Sequence, residues 1–211
     1  MIKDAYRFAI PLLVAAIACW LVAWRWQPWF WPGLVLFLLG LFVFYFFRDP
    51  ERPIPSDPSL IVSPADGHVV QIVEEPLDGQ PGRRVSIFLA VWDVHVQRAP
   101  VAGCIARVEY RPGKFLGAFR SEASRVNEQN VIYMDTAHGR VVFKQIAGAI
   151  ARRVLFWRQE GSEVALGERV GMIRFGSRVD VWLPLSAQIT AKRGEMVKGG
   201  ESVLGKWTST S

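Results

Sequence analysis

Cysteine and histidine are scarce in this chain of 211 residues: Cys19 and Cys104, and His68, His95 and His138, are all there is. One cysteine falls in an apolar N-terminal region and the other in a stretch of ordinary soluble composition. A disulfide between them is therefore not expected, which fits a reducing compartment. No His, Cys and carboxylate grouping has the spacing of a metal site. A Gly-rich phosphate loop is missing, as is a Gly-x-Ser-x-Gly elbow, and an ordinary α/β-hydrolase is thereby excluded. The net charge of +6 calls for anionic partners. With no Lys/Arg run, no zinc-finger spacing and no aromatic-basic interleaving, nucleic acid is a poor match, and an anionic membrane surface is the better one.

Charge is rarest near the N-terminus, where residues 8–47 contain only Arg25, while five of the nine tryptophans lie in the first 31 residues. Two apolar runs, 8–24 and 29–47, flank Arg25-Trp26-Gln27-Pro28. Each is close to the roughly 20 residues that cross a hydrocarbon core of about 30 Å. A cleavable signal peptide would offer one shorter run and a small-residue cleavage site. The pattern predicts a helical hairpin, with Pro28 and Pro32 at the turn and the start of the second helix, and tryptophans at the interface. It either spans the bilayer or dips into one leaflet. Lys3, Arg7, Arg48 and Arg52 outside the runs, against Arg25 between them, place both ends on the cytoplasmic side of a cell (inner) membrane. The predicted organisation is a membrane-associated hairpin over 1–48, a stiff linker over 49–60 with Pro50, Pro53, Pro55 and Pro58, and a β-rich domain over 61–211.

Beyond Leu60, short β-branched and aromatic runs bounded by Gly, Pro and Asp fall at 67–73, 84–91, 104–110, 130–135, 139–146, 151–157, 169–175, 179–184 and 187–191. This rhythm predicts a mainly β fold, an antiparallel sandwich or barrel-like domain. Only 114–127 reads as helix-prone. In the tail, "KRGEMVKGGESVLG" repeats a Gly-Glu turn after six residues, a rhythm similar to the hairpins of biotinyl/lipoyl-type barrel-sandwich hybrids.

Few residues can carry chemistry. In "FLAVWDVHVQRAP", strand alternation would put Asp93, His95 and Gln97 on one face, either a solvated face or the wall of a site. His138, in "DTAHGR", reads as a solvated turn residue, and His68 as the start of a strand. Asp66, in "VSPADG", has an ordinary turn role open to it. "GMIRFGSRVDVWLP" reads as a hairpin with Gly176 and Ser177 at its turn, where Asn-Gly or Asp-Gly would be the usual choice.

Taken in order, "FFRDPER", "VSPADG", "FLAVWDVHVQRAP", "NEQN" and "RFGSR" behind an apolar N-terminus resemble the compact bacterial and archaeal phosphatidylserine decarboxylases. The resemblance covers nearly the whole chain. It implies a proenzyme that cuts itself between Gly176 and Ser177 into a β chain (1–176) and an α chain (177–211), which stay together as a heterodimer, with room for a homo-oligomer. Ser177 then becomes a pyruvoyl group, the cofactor, with no metal. The ketone forms a Schiff base with phosphatidylserine, whose decarboxylation gives phosphatidylethanolamine and CO2. The resemblance carries Asp66 and Ser177 over as site residues and matches the first histidine of the longer members' Asp-x-His-x-x-His-x-Pro strand to His95. Their second histidine is Arg98 here, and of their Leu-Gly-Ser-Thr cleavage motif only Gly176-Ser177 is shared. The expected catalytic set is Ser177, His95 and Asp66, with Asp93 a further group to orient His95 and Arg98 a charge stabiliser. Lys114, Arg120 and Arg125, with Asn127 and Asn130 as neutral donors, are candidates for the substrate phosphate, or else form a solvated basic face. Two other readings fit parts of the chain: a non-enzymatic, membrane-anchored biotinyl/lipoyl-like module, and a serine hydrolase using Ser177 and His95 without self-cleavage.

Overall fold

The computed structural model describes residues 3–120, 122–149, 154–174 and 176–208. It divides into two compact units, Met1–Glu51 and Arg52–Ser211.

In the first unit, α1 (Lys3–Ala23) and α2 (Phe30–Phe46) are joined by a single turn of 3-10 helix at Gln27–Trp29, entered at Pro28. Small residues form the seam between the helices. A Cβ at Gly33 would come 2.6 Å from the Trp20 ring, and one at Gly40 2.7 Å from the Leu13 side chain, so both positions require glycine for this close approach. Ile10, Val14, Ile17 and Leu21 of α1, like Val35, Leu38 and Leu41 of α2, face outward and are exposed. Two spans of 20 residues, Asp4–Ala23 and Gln27–Phe46, are long and apolar enough to cross a membrane. At 1.5 Å per residue each measures about 30 Å. An apolar exterior of this extent is compatible with membrane association.

The second unit is mainly β. Its elements are β1 (Leu60–Val62), β2 (Gly67–Glu74), β3 (Gly82–Leu89), β4 (Val96–Arg98), β5 (Gly103–Arg111), α3 (Ala123–Val126), β6 (Gln129–Thr136), β7 (Gly139–Ala147), β8 (Val154–Phe156), β9 (Glu163–Val164), β10 (Arg169–Ile173), β11 (Ser177–Pro184), β12 (Ala187–Ile189), β13 (Met196–Val197) and β14 (Val203–Trp207). An eight-stranded sheet in the order β13-β2-β3-β11-β7-β6-β5-β9 curls into a half-barrel. Two three-stranded sheets, β1-β14-β12 and β4-β10-β8, complete it. The strands pair antiparallel throughout, so the expected mainly β, antiparallel, barrel-like class holds. The two Gly-Glu repeats of the tail are turns, each with a glycine at positive φ (Gly194 +87°, Gly200 +76°), a conformation that glycine adopts without steric cost.

The central strand β11 shows why the sheet forms. Val179, Val181 and Leu183 enter the main core with Val85, Ile87 and Leu89 of β3 and Phe143 of β7. Each such side chain removed from water stabilises the fold by about 1.5–3 kcal/mol. The alternate residues Arg178, Asp180 and Trp182 are also buried, on the opposite face of the strand. There Arg178 Nε donates to Asp180 Oδ1 (2.7 Å) and its Nη2 to Ser86 Oγ (2.7 Å). Arg84 Nη1 donates to the same Ser86 oxygen (2.6 Å), and the Ser124 hydroxyl donates to Asp180 Oδ2. A buried carboxylate with this many donors is costly to delete, because the guanidiniums lose their counter-charge. Asp180→Ala is expected to destabilise the second unit by about 3–5 kcal/mol, read as a lower denaturation midpoint in guanidinium chloride.

Several expectations are corrected. The segment 169–184 is not a hairpin. β10 pairs with β4 and β8, β11 pairs with β3 and β7, and Ser177 opens β11 rather than sitting in a turn. Helix in 114–127 is confined to Ala123–Val126, because Lys114 is held extended in a β-bridge with Asn127. In the 92–97 segment only Val96 and Gln97 are strand, part of β4, and His95 and Gln97 are fully buried, which rules out a solvated face. Parts of two predicted strands, 151–153 and Phe175, lie outside the described residues.

Candidate active site

The candidate site lies where β11 begins. Gly176 has φ +59°, a left-handed conformation that favours glycine, and hands the chain into the strand at Ser177. Ser177 is held on both sides, in register with Leu89 of β3 and Ala147 of β7. Its side chain is fully buried, and Ser177 Oγ has no hydrogen-bond partner among the described residues. An unbonded buried hydroxyl forgoes about 1–3 kcal/mol. Here it is directly attached to the residue whose amide nitrogen joins it to Gly176.

His95 approaches the adjoining peptide, on the N-terminal side of Gly176, from β4's leading edge. Gly176 N–H donates to His95 Nε2 (3.3 Å), and His95 Nδ1 lies 2.9 Å from the Asp93 carbonyl oxygen. A carbonyl only accepts, so Nδ1 carries the proton, and Nε2, which accepts, presents a lone pair. The neutral imidazole satisfies both contacts in a single tautomer. Orientation comes from the Asp93 backbone, since the Asp93 carboxylate accepts instead from the Ala90 N–H (2.8 Å).

A chain of buried amides fixes the strand that carries His95. Asn130 Nδ2 donates to Gln145 Oε1 (3.2 Å), Gln145 Nε2 to Gln97 Oε1 (3.0 Å), and Gln97 Nε2 to the His95 carbonyl oxygen (2.8 Å). Gln97 was singled out from the sequence with Asp93 and His95; Gln145 was not, being one polar residue in an otherwise ordinary strand. Asn130, in "NEQN", is thus linked to the His95 backbone through two glutamines.

Opposite the imidazole, the Gly176 carbonyl oxygen lies against Gly148, where a Cβ would come within 2.1 Å of it. Ala118 of the 114–120 loop borders the same spot, 3.4 Å from that Cβ position. Gly148 is therefore a second residue that sequence reading missed; a glycine directly after β7 was the only signal. Gly148→Ala must displace this carbonyl. With a 1 Å misplacement costing on the order of 10²-fold, any reaction at the Gly176 carbonyl should slow by about that factor, and splitting of the chain there is read on a denaturing gel.

The remaining predicted residues are placed as follows. Asp66 Oδ2 pairs with Arg52 Nη2 (2.7 Å) and Oδ1 accepts from the Gly199 N–H (2.8 Å), which ties the "VSPADG" turn to the C-terminal turns. Arg98 is buried and donates to the Gly167 carbonyl oxygen (3.0 Å). Asn127 accepts from Leu116 N–H and donates to the Leu116 and Ala147 carbonyl oxygens. Its amide holds the 114–120 loop to β7 as a structural clasp. Lys114, Arg120 and Arg125 are exposed. His138 is exposed in its turn and stacks on Trp207 (4.8 Å between ring centres). Among the described residues no group of three or more His, Cys, Asp or Glu could hold a metal ion.

The 114–120 loop and the 90–95 segment carry exposed aromatic side chains, Phe115, Phe119 and Trp92. The site thus has a buried, unbonded hydroxyl, a neutral imidazole on the adjoining peptide and an apolar rim. A carrier module needs none of the first two. A profile of the phosphatidylserine decarboxylase family matches residues 39–205, which include both elements of the site and most of the chain. The chain belongs to the phosphatidylserine decarboxylase family and is a decarboxylase, a carbon-carbon lyase.

Proposed function

We propose that this enzyme makes its own electrophile by cutting the Gly176–Ser177 bond, and then decarboxylates phosphatidylserine to phosphatidylethanolamine with the pyruvoyl group so formed. The orphaned Ser177 hydroxyl is the observation that carries this reading: a buried hydroxyl with no partner is one not committed to the fold. Glycine at φ +59° before it and bare Gly148 beside the scissile carbonyl suit the same reaction.

In the first step the Gly176 N–H releases His95 Nε2, and Ser177 Oγ attacks the Gly176 carbonyl carbon while the freed Nε2 takes the hydroxyl proton. The C–N bond to Ser177 breaks, the nitrogen gains a proton, and an ester joins Gly176 to the serine oxygen. Loss of the Ser177 Cα proton and rupture of the Cβ–O bond then release Gly176 as a carboxylate. Water replaces the remaining nitrogen, which leaves as ammonia, so one water enters and one ammonia departs. Arg178 anchors the strand immediately after the break through Asp180 and Ser86, keeping the new chain end in register.

A pyruvoyl ketone held at position 177 by β11 would supply the electron sink for breaking the Cα–carboxylate bond of an amine-bearing substrate. His95 is then placed to return a proton to Cα, with the Asn130–Gln145–Gln97 chain holding its backbone. Lys114 and Arg120, exposed on the loop that borders the scissile carbonyl, are the proposed contacts to the substrate phosphate. Phe115, Phe119 and Trp92 would meet the acyl layer, so the lipid need not leave the bilayer. The hairpin anchors the enzyme in the inner membrane with the second unit on the cytoplasmic side. The 1–176 and 177–211 chains remain one heterodimer through the pairing of β11 with β3 and β7.

The test is release of labelled CO2 from carboxyl-labelled phosphatidylserine in mixed micelles. Activity that appears as the chain splits and vanishes after borohydride treatment supports the proposal. Full activity from an unsplit chain contradicts it.

A further inference from the structure

On the sheet face opposite Ser177, a cavity of about 300 Å³ is lined by Gln71, Glu75, Arg84, Ser124, Arg125 and Lys144. Three of these side chains are cationic and one is anionic. The anion is already matched, since Arg84 Nε donates to Glu75 Oε2 (2.7 Å). The neighbouring Asp180 carboxylate is held by Arg178, Arg84 and Ser124. Lys144 lies across from Asp180 in the β7–β11 pairing and is half-buried. Among the described residues its ammonium forms no hydrogen bond or ion pair, and neither does the Arg125 guanidinium. Burial pushes the Lys144 ammonium below its ordinary pKa, with the charges of Arg111 and Arg84 adding to that and those of Asp180 and Glu75 opposing it. Two unpaired cations facing one cavity are costly unless an anion joins them.

We infer that this cavity is a second anion site, in which Lys144, Arg125 and Arg84 bind a phosphate group. It is separate from the reacting centre. Lys144 stands beside Asp180, three residues along β11 from Ser177, about 10 Å at the rise of a strand, and on the other face of the sheet. In phosphatidylserine only a few bonds separate phosphate from amine, so one substrate molecule cannot occupy both places. The occupant is either the headgroup phosphate of another anionic lipid or free phosphate.

Equilibrium binding to the full chain in detergent separates the two sources. The probes are inorganic phosphate and dihexanoyl phosphatidylglycerol, a soluble lipid with a singly charged phosphodiester, each titrated at constant ionic strength. Saturable binding that weakens at least about tenfold in both Lys144→Gln and Arg125→Gln, and is unchanged in Lys206→Gln, an exposed cation of β14, supports the site. Binding of phosphate alone assigns a soluble anion, binding of the lipid alone assigns a headgroup, and competition between them assigns the shared group. No saturable binding of either probe overturns the site, and so does unaltered affinity in both variants. Arg125 is exposed, so its substitution leaves the fold intact even where that of Lys144 does not. Repeating the titration on the Ser177→Ala chain keeps the result independent of self-cleavage.

Discussion

Ser177→Ala is expected to yield one uncut chain of 23.8 kDa with no decarboxylase activity. The substitution removes the oxygen proposed to attack and no hydrogen bond within the described structure, since Ser177 Oγ makes none. Folding should therefore be unchanged or slightly improved, because a buried unsatisfied group disappears. The combination is diagnostic: total loss of processing at undiminished stability, read from intact mass and from the denaturation midpoint. A structural serine would give the opposite pattern, with stability lost and the chain still split. Ser177→Cys keeps a nucleophile at this position and should split slowly.

The second large effect is at His95. His95→Gln keeps a polar side chain in a fully buried position but removes the proton acceptor beside the Gly176 peptide. The rate of chain splitting should fall by about 10²–10⁴-fold, the usual worth of a positioned general base. Near-ultraviolet circular dichroism is expected to stay native, which separates chemistry from unfolding. The amide chain offers a graded comparison. Gln97→Leu leaves the imidazole in place and loosens only the backbone that holds it, so its effect on splitting should be smaller than that of His95→Gln.

Much of the fold was legible because half-buried strands print their alternation on the sequence. β2, β3, β5, β6, β7 and β11 fall where β-branched and aromatic residues recur between turn signals. Strands of two or three residues, such as β1, β9 and β13, left no trace, because their existence depends on partners distant in the chain. Pairing was likewise invisible. β10 and β11 are consecutive and read as a hairpin, yet each is satisfied by other neighbours, which is what turns Gly176-Ser177 from a turn into a crossing between sheets. The 114–127 segment has helix-forming residues, but Gly117 interrupts it, and Asn127 clasps it in an extended path.

At the candidate site, Ser177 and His95, which the structure brings to adjoining peptides, were named from residue type and motif order. Their surroundings were not. The group that orients His95 is a backbone carbonyl, which no sequence motif can specify, and the Asp66 carboxylate is bonded to Arg52 and Gly199. Gly148 acts by what it lacks, and Gln145 and Gln97 act through bonds that cross between β7 and β4.

The most direct test of self-made chemistry is the intact mass of freshly purified, folded protein. A C-terminal fragment spanning 177–211 is predicted, 35 residues long, lighter by one ammonia than the same chain begun with serine, and gaining two hydrogens on borohydride reduction. Recovery of active protein as a single unbroken chain, or of a 177–211 fragment that still begins with serine, would contradict it.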